Sequence, residues 1–316
     1  MRYINEYKDG DSCRGIYLCR SKQVLTAKTG KTYYSLTLQD KTGTMDAKVF
    51  DINSGIDEFD SMDYIDVTGQ VSSFQGNLQW KLTRIRKCTE DEYNPDDYMM
   101  ASKYNRDEMY GKLMNIMSSV KNTYLRQLID MYFVNDEAFI KEFKNHSAAK
   151  SVHHSFIGGL LQHTLWVVSL CNYLADMYPL LDKDLLLTAA LFHDIGKMNE
   201  LAEFPACEYT DDGQLLGHIF IGAELIGEAV KKIPDFPPRL ATELRHCILA
   251  HHGELEFGSP KKPALAEAFA LNMADNTDAK LQIFTEVFDV AGDNMDWLGF
   301  NRMLDSNVRQ TYGTKK

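Results

Sequence analysis

The sequence predicts two folds in tandem, a small all-β barrel at the N-terminus followed by an all-α helical bundle. Three observations carry this. Up to about residue 90, apolar and polar residues alternate. From about residue 106 to residue 290, apolar residues recur at helical spacing. Between the two runs lies a polar, acidic stretch with one proline, Glu90-Asp91-Glu92-Tyr93-Asn94-Pro95-Asp96-Asp97. The expected division is a barrel over 1–90, a linker over 91–105, a helical domain over 106–300 and a frayed tail over 301–316. A chain of 316 residues, 44% hydrophobic and 25% charged, has the composition of a globular protein and length enough for two cores.

The barrel is read strand by strand. A first strand is expected near Cys13–Ser21. In the run Lys31–Asp40, Tyr34, Leu36 and Leu38 alternate with Tyr33, Ser35 and Thr37; Asp40-Lys41-Thr42-Gly43 then turns the chain. Met45, Ala47 and Val49 alternate with Asp46, Lys48 and Phe50, completing a hairpin. Tyr64–Val71 and Leu78–Ile85 are two further strands, joined through Gln75-Gly76-Asn77. A barrel of about five short strands matches the oligonucleotide-binding (OB) fold. If Leu36 and Leu38 face the core, Tyr33, Lys48 and Phe50 face outward. Aromatic and cationic side chains so placed can stack bases and track phosphates, and these three are the candidate nucleic-acid contacts. Trp80 is expected in the core.

The net charge of −11 argues against a simple polyanion binder, but it is unevenly spread. Residues 1–90 hold 13 Lys and Arg against 12 Asp and Glu, a local balance of +1 that leaves −12 for the remainder. Electrostatics alone therefore predicts weak, salt-dependent attraction to nucleic acid, centred on the barrel. There is no run of eighteen apolar residues, so no membrane span is expected. The polar N-terminus is no secretory signal. Six cysteines without a C-x-x-C pair read as reduced thiols in a cytoplasmic protein.

The helical half carries a series of residues that bind divalent metals: His163, His193-Asp194, His218, His251-His252 and Asp275. His163 lies within a helix that continues to about Met177. His193-Asp194 ends a helix over Leu185–Phe192, and Gly196 follows as a stop signal. His218 opens a helix over Ile219–Val230, and His251-His252 closes one that starts near Arg239. A lone histidine on an amphipathic helix is usually packed or solvent-facing, and His146 and His246 are read that way. The ordered set is different, because separate helices can bring scattered ligands to one point.

The order His…His-Asp…His…His-His…Asp resembles the HD-domain superfamily of metal-dependent phosphohydrolases, whose central signature is similar to Leu191-Phe192-His193-Asp194-Ile195-Gly196-Lys197. His153-His154-Ser155-Phe156-Ile157-Gly158-Gly159-Leu160-Leu161-Gln162-His163-Thr164 and Tyr209–His218, with the barrel in front, narrow the match. From about residue 10 to 290, the chain resembles the YhaM-type bacterial 3′-5′ exoribonucleases. Gln162 departs from that pattern, where a Glu commonly precedes the first ligand histidine.

The resemblance implies one metal on His163, His193, Asp194 and Asp275, and a second on Asp194, His218, His251 and His252. Mixed imidazole and carboxylate ligands suit manganese first, with iron, cobalt and zinc, and less readily magnesium, as alternatives. Without cysteine ligands a closed structural zinc is not expected. Two such ions can activate water against a phosphodiester. Within the signature, Lys197 would touch a phosphate oxygen and Gly196 would allow close approach of substrate; His154 is the candidate general acid. The implied substrate is single-stranded RNA, with single-stranded DNA a second, and the product is nucleoside 5′-monophosphates. A phosphohydrolase of cyclic dinucleotides or nucleotides and a non-catalytic nucleic-acid-binding regulator are the competing readings. A homo-oligomer is compatible with the tyrosine-rich surface.

Overall fold

Five strands form where the alternation predicts them: β1 (Ser12–Thr26), β2 (Thr32–Asp40), β3 (Gly43–Val49), β4 (Tyr64–Phe74) and β5 (Asn77–Lys87). They are seen in a computed structural model that describes residues 2–26, 30–74, 77–94, 97–99, 101–149, 156–203 and 208–314. The expected turn residues Gln75 and Gly76 lie outside that set. The strands close into a barrel in the order β1-β2-β3-β5-β4. All neighbours are antiparallel except β3 and β5. Register sets Leu36 opposite Ala47 and Leu38 opposite Met45. A slip of one residue would turn this whole face to solvent. Leu36, Leu38, Ala47 and Val49 are buried together with Ile65, Val67 and Ile85. Trp80 is fully buried, with its ring edge-on to Tyr7 and Tyr17 at centroid distances of 5.0 and 4.7 Å. Truncating such a ring to alanine costs about 3–5 kcal/mol.

The stretch expected to be a linker folds back on the barrel instead. Tyr93 stacks on Tyr64 at 3.7 Å, and the Gln39 amide donates to the carbonyl of the buried Tyr98 at 2.8 Å. Two tyrosines set among acidic residues are the reason. The chain divides into two compact units, Met1–Ala101 and Ser102–Lys316.

Among the described residues, the second unit holds ten α-helices. They are α1 (Arg106–Met117), α2 (Thr123–Phe133), α3 (Glu137–Asn145), α4 (Gly159–Met177), α5 (Lys183–Phe192), α6 (Lys197–Glu200), α7 (Asp211–Leu215), α8 (Gly217–Lys231), α9 (Pro238–Leu249) and α10 (Ala266–Ala291). α5 is buried from Leu185 to Phe192. A helix with apolar residues all round belongs at the centre, and α5 is packed by α4, α9 and α10. Asp182 caps it, accepting from Leu185 N at 3.0 Å. At its far end Phe192 is buried edge-on against Phe133 and Tyr132, at 5.4 and 5.9 Å. That packing fixes the turn from which His193 and Asp194 project.

The tail is folded rather than frayed. β6 (Phe300–Asn301) pairs with β7 (Ser306–Asn307). Val308 is buried, and the Gln310 amide donates to the carbonyls of Gly292 and Asn294. Among the described residues, no helix is long and apolar enough to cross a membrane.

Candidate metal centre

Five helices deliver the seven sequence-predicted ligands to one place. His163 comes from α4, His193 and Asp194 from the turn after α5, and His218 from the first turn of α8. His251 and His252 follow α9, and Asp275 comes from α10. Ligand atoms of His163, His193 and Asp275 all lie within 4.8 Å of one another, and so do those of His218, His251 and His252. Asp194 sits between the two trios. Its Oδ2 is 3.2 Å from His163 Nε2 and 3.4 Å from His193 Nε2; its Oδ1 is 3.5 Å from His218 Nε2 and 3.6 Å from His251 Nε2.

Each of the five imidazoles is oriented through Nδ1. His193 donates to Ala190 O at 2.8 Å, His251 to Ile248 O at 2.6 Å and His252 to Phe257 O at 2.8 Å. His163 Nδ1 is 2.7 Å from Asp278 Oδ2, and His218 Nδ1 is 2.9 Å from Glu200 Oε1. With the Nδ1 hydrogen engaged, each neutral ring presents a lone pair at Nε2. Nε2 atoms of His163 and His193 stand 3.1 Å apart, a spacing that a shared proton bridges when the site is empty and that a metal ion would take over. Asp194 Oδ1, His218 Nε2 and His251 Nε2 are buried with no hydrogen-bond partner. Orphaned buried acceptors of this kind need a cation or water. The donor set therefore fits divalent metal.

Charge makes the same demand. Among the described residues, Asp194, Asp275, Asp278 and Glu200 touch the cluster against one paired ammonium, Lys197, 2.7 Å from Asp194 Oδ2. Burial alone would disfavour a charged His163, yet Asp194, Asp275 and Asp278 outweigh it and raise its pKa well above the usual histidine value. Burial pushes His251 down, and burial together with His251 pushes His252 down, so these two rings favour the neutral, ligating form. Burial would raise Asp194, but Lys197 and His193 hold it well below the usual carboxylate range.

Other expectations meet different outcomes. His154, like His153, lies outside the described residues. Lys197 contacts Asp194 and also lines a cavity beside the cluster. Gly196 serves the packing of two chain segments rather than substrate approach. A Cβ there would lie 2.1 Å from His218 O and 2.7 Å from Gly222 N, so its absence lets α8 bring His218 up to Asp194. Gln162 is buried and its Oε1 accepts from Ser102 Oγ at 2.7 Å, so this amide has a structural partner. His146 bonds to Ser147 O, and His246 accepts from Ala264 N. Cys13, Cys19, Cys171 and Cys247 are buried thiols, and Cys88 is half-buried.

Sequence reasoning missed Asp278 and Glu200. The available signal was spacing, since Asp278 lies one helical turn beyond Asp275 on the same face. On the barrel, Tyr33 and the exposed Phe50 pack at 5.7 Å with their planes 30° apart, and Lys48 Nζ donates to Ser35 Oγ on the neighbouring strand.

Comparison with known proteins agrees with this architecture. Residues 160–280 match the family described as HD domain, and residues 19–87 match the OB-fold nucleic acid binding domain. Over 283 residues, 89% of this chain and 88% of the relative, the sequence is 33% identical to the 3′-5′ exoribonuclease YhaM of Bacillus subtilis (strain 168). It is 31% identical over 288 residues to the protein of the same name from Listeria innocua, covering 89% of this chain and 90% of that one.

Proposed function

Because the chain belongs to the family of the 3′-5′ exoribonuclease YhaM, we propose that it shortens single-stranded RNA from the 3′ end at a two-metal centre, releasing nucleoside 5′-monophosphates. Single-stranded DNA is a second substrate in this reading. One observation carries it: the two oxygens of Asp194 face two separate histidine groups. His163, His193, Asp194 and Asp275 would hold one ion, and Asp194, His218, His251 and His252 the other, manganese being the first expectation. When bound, the metals supply positive charge against the phosphoryl group and lower the pKa of a water.

The remaining work falls to the chain. Hydrogen bonds at Nδ1 keep every ring aimed at the centre. Lys197, at the cavity wall, offers its ammonium to a non-bridging phosphate oxygen as the negative charge grows. A bond forms from water oxygen to phosphorus, and the bond from phosphorus to the 3′-oxygen of the penultimate nucleotide breaks. That oxygen takes up a proton, and the phosphate leaves with the terminal nucleoside. Tyr33, Lys48 and Phe50 would hold the incoming strand on the barrel.

The test is 5′-labelled single-stranded RNA incubated with the full chain and Mn²⁺. Stepwise shortening that stops on chelation is expected. Hydrolysis of cyclic dinucleotides with RNA left intact would replace this reading with that of a small-molecule phosphodiesterase, and RNA retention without cleavage would leave a binding protein.

A further inference from the structure

A cavity of about 550 Å³ opens beside the metal cluster, lined by Lys197 and Asp275 of the cluster and by Lys280, Phe257 and Met303 among others. That volume is of the size that takes one small ligand. On α10, Asp275, Asn276 and Lys280 all line the space, together spanning about 140° of the helix surface. Lys280 follows Asp275 by five residues, so its backbone lies about 7.5 Å farther along the helix axis. Its side chain is exposed and, among the described residues, no carboxylate pairs with it. Phe257 and Met303 are also largely exposed, at 67% and 51%, so the cavity opens to solvent beside them. Phe257 is nevertheless tied to the centre, because its carbonyl accepts from His252 Nδ1 at 2.8 Å.

We propose that this cavity holds the nucleotide immediately 5′ of the scissile phosphate, with Lys280 binding the next phosphate along the chain and Phe257 flanking the base. The inference rests on the exoribonuclease reading above. Its direction follows from substrate chemistry. A 3′-terminal nucleoside carries no phosphate beyond the scissile one, so a cation lining the cavity away from the ligand residues meets further charge only on the 5′ side. An exit open to solvent also suits the side on which the chain continues. A phosphate pairs well with a lysine ammonium that has no competing acid. An aromatic face tolerates any base, as successive removal of nucleotides requires.

The test is a cycle on the first cleavage of an RNA pentanucleotide with the Mn²⁺-loaded full chain. Lys280→Gln is paired with a neutral methylphosphonate replacing the phosphate next 5′ to the scissile one. Each change alone should lower kcat/KM by roughly three- to tenfold, and both together no further, because they remove the same contact. Lys280→Gln should leave the Mn²⁺ requirement unchanged, and should lower the dependence of log KM on log salt by about 0.7. Losses that multiply, or a variant that cleaves as the wild type does, would overturn the subsite. A wild-type protein that leaves the pentanucleotide intact would instead overturn the exoribonuclease reading and the subsite with it.

Discussion

Asp278 Oδ2 lies 2.7 Å from His163 Nδ1, so a carboxylate on α10 sets the ring of a histidine on α4. Carboxylates behind ligating histidines fix the tautomer and raise the basicity of the ligand. Their loss typically costs 10- to 100-fold in metal affinity. Asp278→Asn should therefore raise the Mn²⁺ concentration for half-maximal activity by about tenfold or more, with activity largely recovered at saturating metal. Calorimetric titration of Mn²⁺ checks it, and unchanged affinity would reduce Asp278 to a packing residue. Glu200→Gln should act in the same direction through His218.

Asp194 turns one carboxylate oxygen to each of the two histidine groups, so in the proposed centre it would be shared by both metals. Asp194→Asn should cut turnover by at least about a hundredfold, since it removes charge where the transition state needs it. RNA affinity should stay within about twofold, because binding would rest on the barrel and on cations. Single-turnover cleavage and equilibrium binding by the same variant separate the two effects. Surviving activity would show that the metal assignment is wrong.

The packed pair Tyr33 and Phe50 gives the barrel an aromatic platform. Each stacked base is worth about 1–3 kcal/mol, so Phe50→Ala should weaken binding of a long single strand at least about fivefold. Cleavage of a dinucleotide, which offers no further bases to stack, should be untouched. Equal losses on both substrates would argue against a separate binding role for Phe50.

Alkali should destabilise the barrel through two buried thiols. Burial raises Cys13 from 9.0 to about 11 and Cys19 from 9.0 to about 12. With folded values above the unfolded one, the folded chain holds more protons between pH 9 and 12. This contribution to stability is thus complete below pH 9 and is lost as pH rises. Linkage puts the loss between pH 8 and 10 on the order of 2–3 kcal/mol for the pair. Urea unfolding of the full chain at the two pH values should show it, and a Cys13→Ala, Cys19→Ala double variant should show less. An equal decline in both proteins would assign the effect to other groups, Tyr17 first among them.

The candidate ligands were legible because metals accept few residue types, so His193-Asp194 and His251-His252 stand out even where their helices do not. The barrel was legible because Leu36 and Leu38 repeat with the period of a half-buried strand. Asp278 and Glu200 were not, since an acid on a helix ordinarily marks a wet surface and only the third dimension shows an imidazole against it. Gly196 resembled a chain terminator, whereas its missing Cβ matters to a carbonyl 22 residues later in the chain, at His218. Tyr93 and Tyr98 were hidden by acidic neighbours. Strands of two residues, such as those pairing after Gly299, are too short to show any period.

The hydrogen bonds from His193 to Ala190 and from His251 to Ile248 are local, each closed within three residues of its own chain. They need no ion to form. Stripping the enzyme with a chelator should therefore silence it while the helices stay assembled, unlike a zinc finger, which collapses when demetallated. On the reading proposed above, such a protein would survive emptying and refilling, and its activity would follow the supply of whichever divalent ion it takes.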